Sequence, residues 1–458
     1  MSFVVHRVAK SAARYTDAGG REKCGYCRFF IAPRACGKVI GPVSPRGWCK
    51  YFSRQVAQQY SDAGITGGGG PPGMTLDLNF MFPGSLPPGV TFTRASTATY
   101  TDASGVIQTA AVNQPRWDYA GGSLRGLLIE EARTNIALQS GDLANATWQS
   151  FLASTNLIMT ANQTIAPDGT MTAASAQYSV ATAAGSVCER AQGVAIAAGV
   201  YTFSVWMKGV VGGERLYLLT TPDNATYYRR QCILTTAWQR FTLTTGTLTA
   251  ATWYFCVGVD LRDTAQTGTP AQTIYVWGAD IERGPFATSY IPTTSAAVTR
   301  AADIASMPTN ASWFGASAGS FQAEFIVPND SPADRQAGIL SLDDTTAANQ
   351  AFIANLNGDY IYLGATVGSV AQLGVNPGGP RNGLVQKAAF AYGGGQWRGA
   401  AAGVVAAGAG SAVPFNATRL VIGSNSPTLD LWKINGCMRG VLGWKRTLSD
   451  AELISVTT

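Results

Sequence analysis

The chain has 458 residues, more than one hydrophobic core sustains, because cores stop growing near ~250–300 residues and longer chains split into domains. Charged residues make up 13%, hydrophobic ones 46%, and there are 52 glycines, a balance too apolar for disorder and too interrupted by glycine for a helical bundle, which leaves β-structure. The single histidine, His6, excludes multi-His metal sites and leaves a Ser-His-Asp triad only if that residue serves it.

The first element is basic and rich in cysteine. Residues 1–66 hold 11 Lys+Arg against three Asp+Glu, a net +8, whereas the remainder holds 22 against 24, a net −2. A compact basic module of this kind should bind an acidic surface, and more weakly as salt rises. Met1 to Arg7 offers no export signal, so folding is expected in a cytoplasm. Cys24, Cys27, Cys36 and Cys49 are spaced C-x2-C-x8-C-x12-C. Where thiols stay reduced, such spacing favours metal over disulfides. A [4Fe-4S] cluster, a tetrahedral zinc site and two disulfides remain open. Only the first pair is close, and single, widely spaced third and fourth ligands suit a cubane better than a zinc knuckle. Tyr26, Phe29, Phe30, Trp48, Tyr51 and Phe52 supply apolar walls, which exclude water from a cluster and also give a small module its core.

The segment Cys24-Gly25-Tyr26-Cys27, then Cys36, Val43, Gly47-Trp48-Cys49 and Phe52, resembles the high-potential iron-sulfur proteins over about residues 10–60. The gap between the second and third cysteines is shorter than in that family. The resemblance implies that Cys24, Cys27, Cys36 and Cys49 ligate a [4Fe-4S] cluster, with zinc as the alternative. A module this small would draw folding energy from its metal.

The run Gly67-Gly68-Gly69-Gly70-Pro71-Pro72-Gly73 reads as a linker. Phe92 to Tyr100, turning through Asp102-Ala103-Ser104-Gly105 into Val106-Ile107, reads as a hairpin. Together with Gly126-Leu127-Leu128-Ile129-Glu130-Glu131-Ala132-Arg133-Thr134-Asn135, this stretch resembles a connector common in bacteriophage tail fibres, head fibres and other virion appendages. Glu130, Glu131, Arg116 and Arg133 are candidates for buried ion pairs that fix it.

From about Asn145 to Thr294 short alternating stretches follow one another. They include Tyr201–Met207, Trp238–Leu243, Thr252–Val257 and Thr273–Trp277, which indicate a β-sandwich. Tyr201–Lys208 and the closing Trp277–Glu282 resemble carbohydrate-binding jelly rolls, and the tail Pro285–Thr293 again resembles phage appendages. Phe321–Val327, Gly338–Leu342, Leu420–Gly423 and Gly436–Trp444 indicate a second sandwich. Its ending, Trp444-Lys445-Arg446-Thr447-Leu448-Ser449-Asp450-Ala451-Glu452, resembles concanavalin-A-like or laminin-G-like lectins. Ser449 and Glu452 form a capping box that opens a short helix. Ala400 to Phe415 is uncharged but made largely of small residues, so it reads as strands and turns and not as a membrane span.

Catalysis finds little footing. Asp280 and Glu282 share one strand face, but in the closing strand, where a structural role is expected. Asp343-Asp344 reads as a solvated turn that leaves room for a peripheral calcium ion. Cys188, Cys232, Cys256 and Cys437 read as small buried hydrophobes.

The expected architecture is mainly β: a small irregular iron-sulfur docking module (1–66), a Gly/Pro linker and β connector (67–140), a carbohydrate-binding-like jelly roll (141–297) and a lectin-like sandwich (298–458). The expected function is that of a non-enzymatic virion protein, assembled in the host cytoplasm. Its partners are the capsid, portal or tail, through residues 1–66, and host surface glycans. Nucleic acid is not expected as a partner, and the resemblance to appendages allows a homotrimer.

Overall fold

The computed structural model describes residues 71–458, apart from the short stretches 154–156, 180–186, 263–268, 270, 329–335, 357–359, 379–382, 426–427 and 429–431, together with the backbone of two short N-terminal strands. The chain divides into two compact units, Met1–Pro72 and Gly73–Thr458. In the first, Phe30–Ile31 pairs antiparallel with Ala35–Cys36, Phe30 lying opposite Cys36.

The second unit is built almost wholly from antiparallel strands, as expected for the mainly-β class. Its middle sandwich has a five-stranded sheet in the order Gln149–Ser150, Val187–Ile196, Ala251–Asp260, Arg215–Thr221, Tyr228–Ile233. Facing it, a second sheet runs Leu157–Thr164, Ala173–Ser179, Ala271–Arg283, Tyr201–Gly209, Gln239–Thr244. The alternation read from the sequence produces this packing. Trp253, Phe255, Val257 and Val259 of one strand point into the same core as Phe203, Val205, Leu218, Ile274 and Ile281, so successive residues serve opposite faces.

The 67–140 segment does not stand as a module of its own, contrary to the division expected from the sequence. Thr91–Thr93 pairs with Ile304–Pro308 at the edge of a seven-stranded sheet. Met74–Asn79 and Ser123–Ile129 both pair with Gly436–Trp444 in the opposing eight-stranded sheet, and Arg116–Ala120 extends it. The reason is burial: Leu76, Leu78, Phe92, Trp117, Leu127 and Ile129 complete the core formed by Phe321, Phe325, Ile339, Ile353, Phe390 and Trp397. Left apart, these strands would expose that apolar face to water. The end of the segment belongs elsewhere, since Arg133–Asn135 pairs with Val298–Arg300 and, at one position, with the end of Ala271–Arg283. Gly126 shows why its motif begins with glycine: its φ is +131°, and a Cβ there would lie 2.3 Å from the Met438 carbonyl oxygen.

The ion pairs anticipated in this segment exist, and their partners come from far along the chain. Arg116 bridges Glu130 (2.8 Å) and Asp303 (2.5 Å), Arg94 holds Asp303 (3.0 Å), and Arg300 holds Glu130 (3.0 Å). Arg133 pairs locally with Glu131 at 2.6 Å. Ser289 donates from its backbone N–H (2.7 Å) and its hydroxyl (2.6 Å) to Glu130. Burial alone would raise the Glu130 carboxyl, but Arg300, Arg116 and the Ser289 hydrogen bonds outweigh it and hold it down to about 2. The network lies where the chain passes from one sandwich to the other, and it ties residues 94–133 to 289–303.

At the C-terminus, Asp450–Thr457 is helical, with Ser449 as N-cap and the complete capping box to Glu452. Arg446 grips the Glu452 carboxylate through two hydrogen bonds, 2.9 and 2.6 Å. Ala400 to Phe415 contains the end of Gln396–Ala401 and all of Val404–Ala407, and among the described residues no helix is long and apolar enough to cross a membrane.

Candidate functional site

The four cysteines expected to hold metal, Cys24, Cys27, Cys36 and Cys49, have side chains outside the described residues. The other cysteines, Cys188, Cys232, Cys256 and Cys437, are free and buried. Burial raises all four thiols, Cys232 to about 12, which makes them poor nucleophiles and poor metal ligands. Among the described residues no group of three or more His, Cys, Asp or Glu side chains is placed to hold a metal ion.

Asp280 and Glu282 do share a face, and both are buried. Asp280 accepts from the Ile291 N–H (3.2 Å) and lies 3.4 Å from an Arg240 nitrogen, while Glu282 accepts from the Thr288 N–H (2.9 Å) and hydroxyl (2.7 Å). The pair anchors the tail after the closing strand. Asp343 is not solvated as expected: it is fully buried and bound by Arg419 at 2.7 Å, so a guanidinium stands where a cation would need to be. Asp344 accepts from Thr346 and Asn349 within the turn. Four tryptophans of the middle sandwich are structural, Trp148 and Trp253 in its core and Trp277 packed on Trp206 and Tyr290, while Trp238 is half-buried beneath the Lys208 ammonium at 4.9 Å.

A different surface, which the sequence did not single out, gathers aromatic, cationic and acidic side chains. On the outer face of the five-stranded sheet, cross-strand pairing places Glu189, Gly258, Tyr217 and Gln231 in one row and Gly193, Tyr254 and Thr221 in another. Most of this face is covered: Glu189, Tyr217, Leu219, Thr221 and Cys256 are buried, and Phe151 packs with Leu219 and Cys256. The Tyr254 ring lies against Gly193, where an added Cβ would come within 2.9 Å of it, and packs on Phe151 at 5.5 Å. Tyr254 remains 38% exposed. Near the sheet's end Arg262 binds Asp260 with two hydrogen bonds, 2.8 and 2.9 Å, stacks over the Tyr227 ring at 4.5 Å and donates to Asn224. Arg229 joins Asp260 at 3.5 Å.

Glu189 is fully buried beside this group, and neither of its carboxylate oxygens has a hydrogen-bond partner. Its nearest cation, Arg262, is 4.0 Å away and is committed to Asp260. Burial, reinforced by the Asp260 charge, raises the Glu189 carboxyl to about 8 against the weaker pull of Arg262 and Arg229. Burial would likewise raise Asp260, but its hydrogen bonds to Arg262 hold it below its ordinary value. Two neighbouring carboxyls therefore differ in protonation at neutral pH. The face offers the exposed Tyr254 ring, on which an apolar ligand face could stack, while the Arg229 and Arg262 guanidinium groups are held by Asp260. The one trace in the sequence is Asp260, a carboxyl that closes the apolar run Phe255–Val259.

No family model matches the chain. Over 44 residues, 9% of its length, it is 46% identical to an iron oxidase of Acidithiobacillus ferrooxidans. The match spans 49% of that protein, so the chain spans about half the length of the curated relative it resembles. Among solved structures, the CBM40 domain of the Ruminococcus gnavus IT-sialidase, bound to α2,3-sialyllactose, aligns over 31% of this chain and 83% of its own at 17% identity, TM-score 0.27. The CBM22 tandem of Paenibacillus barcinonensis Xyn10C covers 69% of this chain and 97% of its own at 8% identity, TM-score 0.25. Mouse laminin α1 domains LG4-5 cover 70% and 92% at 7% identity, TM-score 0.23. Scores this low carry no argument, and the sandwich architecture rests on the sheets described above.

Proposed function

We propose that this protein is a non-enzymatic virion appendage: residues 1–66 attach it to the particle and the β-sandwiches contact host surface glycans. The observation that carries the reading is the coincidence of two boundaries. The excess positive charge ends at residue 66, and the chain divides into compact units at Pro72 and Gly73. A small basic unit is thus set apart from a near-neutral β unit, the arrangement needed for docking at one end and display at the other. The phage-appendage words around residues 92–135 supply the class of particle. Cys24, Cys27, Cys36 and Cys49 would hold a [4Fe-4S] cluster, which staples the docking module; the match to an iron oxidase supports iron over zinc. The outer face bearing Tyr254, Arg229 and Arg262 is the glycan-contacting surface of this reading.

Replacing the Lys and Arg residues of 1–66 by Glu should release the protein from particles, as measured by co-sedimentation of the full chain with virions. Unchanged incorporation would contradict the docking role. Iron and sulfide analysis of anaerobically purified protein should give about four irons per chain, whereas zinc alone would contradict the cluster. The iron oxidase match also favours a second reading, a redox carrier tethered to a polysaccharide. That reading requires a cluster that cycles reversibly in voltammetry, and a cluster that cannot be cycled would eliminate it.

A further inference from the structure

The second sheet of the middle sandwich has an outer face of its own, away from Tyr254. Cross-strand pairing sets Thr160, Ser175, Tyr275 and Lys208 in one row. Their strand neighbours Met159, Ala174, Ala176, Ile274, Val276 and Met207 pack in the core, so alternation turns the row outward. The strand Tyr201–Gly209 runs between Ala271–Arg283 and Gln239–Thr244, which puts Lys208 between Tyr275 on one side and Trp238 on the other. All three side chains are half-buried. The Lys208 Nζ lies 4.9 Å from the centroid of the Trp238 ring and 5.2 Å from that of Tyr275, so both rings turn a face to the ammonium. Trp238 is fixed in this position, because its indole N–H donates to the Ile165 carbonyl at 2.9 Å.

The charge of this ammonium is not balanced locally. It has three donors and makes one hydrogen bond, to the Thr164 hydroxyl at 3.3 Å. Among the described residues no carboxylate pairs with it, and burial is what lowers its pKa from the ordinary value. Of the undescribed stretches in this sandwich only 263–268 contains an acid, Asp263, which continues from Arg262 at the end of the opposing sheet. A lysine that only covers apolar surface keeps its head in water. Here the head is held against two rings, which attract a cation without neutralising it. Aromatic edges carry the positive end of the ring quadrupole, so an oxyanion set on the ammonium from the solvent side would be met favourably by ring edges as well. The neighbourhood is polar and roomy: Thr160 and Gln177 are exposed, and Thr273, two residues from Tyr275 on the same face, lines a cleft of about 670 Å³.

We propose that this face binds an acidic saccharide, with the Lys208 ammonium donating to the carboxylate of a uronic or sialic acid unit between the edges of Trp238 and Tyr275, and the rest of the sugar lying towards Gln177 and Thr273. The proposal rests on the glycan-binding reading above and names for it a ligand class and a second seat. Its test is titration of the full-length protein by calorimetry with two matched pairs, trigalacturonate and 3′-sialyllactose, each as the free acid and as its methyl ester. Esterification removes the charge and leaves the sugar, and the two pairs separate a uronate from a sialate.

In at least one pair the acid should bind at least about tenfold more tightly than its ester, the scale of one charge-assisted hydrogen bond. Lys208→Met should bring the acid down to the affinity of the ester, whereas Lys208→Arg, which keeps a cation on the rings, should retain the preference. The acid-to-ester ratio is read within each protein, so a loss of stability cannot imitate the result. Tyr254→Ala, on the other sheet, should leave the ratio within about twofold. A preference for the acid that persists in Lys208→Met would belong to the basic residues 1–66 and would overturn the Lys208 seat. Equal binding of acid and ester by the parent would overturn it too, as would loss of the preference in Lys208→Arg as well as Lys208→Met. In each of these cases the glycan reading stands if Tyr254→Ala weakens saccharide binding. Absence of binding to every saccharide would overturn both.

Discussion

Two glutamates, each fully buried in the β unit, reach opposite states. Glu130, at the passage between the sandwiches, has Arg116 and Arg300 within 3.0 Å and two hydrogen bonds from Ser289, and it is held ionised down to about 2. Glu189, on the outer face of the five-stranded sheet, has no hydrogen bond, shares its nearest guanidinium with Asp260, and is raised to about 8. Burial is the same in both places, so the number of committed partners decides the charge. A network in which nearly every charge is spoken for serves as scaffold. A buried carboxyl left without hydrogen bonds, close to the exposed Tyr254 ring, marks the region where binding is to be sought.

The contrast can be broken most forcefully at Arg116. Replacing it by Ala strands Glu130 and Asp303 among fewer cations and should cost about 3–5 kcal/mol in denaturant unfolding of the full chain. A loss below ~1 kcal/mol would show that the network is dispensable. The two carboxyls should next separate by pH. Glu130 lies below its ordinary value of 4.5, so its contribution, about 3 kcal/mol, is complete above pH ~4.5 and fades as pH falls towards 2.

Glu189 has the opposite sign. Its folded carboxyl titrates near 8 against 4.5 when free, so the folded state holds the proton more tightly, and stability falls as pH rises from about 4.5 to 8. Glu189→Gln copies the protonated form and should remove that slope. Its melting temperature should exceed that of the parent by a growing margin between pH 5 and 8 and stay constant above. A parallel pH profile for the two proteins would mean that Glu189 is ionised throughout. The smallest effect lies outside both regions: Ser449→Ala removes the helix cap and should cost about 1 kcal/mol, with no change in either pH profile.

The sequence made the charged connector legible but not its wiring. Arg116, Glu130 and Arg133 stand out because charges interrupt strands that are otherwise apolar, and Glu131 with Arg133 is a local pair. The decisive partners Arg300 and Asp303 lie about 170 residues away, beyond any local pattern. Strands were legible by alternation, as Gly436–Trp444 shows, and the C-terminal cap by Ser449 and Glu452. Sheet order was not. Nothing in Thr91-Phe92-Thr93 announces Ile304–Pro308 as its neighbour, so the 67–140 segment read as separate until its apolar residues were seen in a shared core. The burial of Glu189 and its lack of hydrogen bonds come from tertiary packing, which its local sequence does not encode. The N-terminal cysteines were the clearest motif in the chain, and their side chains lie outside the described residues.

The claim that the outer face of the five-stranded sheet contacts host glycans is tested most directly by binding of the full-length protein to arrayed host-surface glycans, parent against Tyr254→Ala. Tyr254 is 38% exposed, so its truncation should leave the fold intact while removing a stacking contact. The account predicts that the parent binds a defined subset of glycans and that the variant loses at least about tenfold in affinity for it. Equal binding by the two proteins would contradict it.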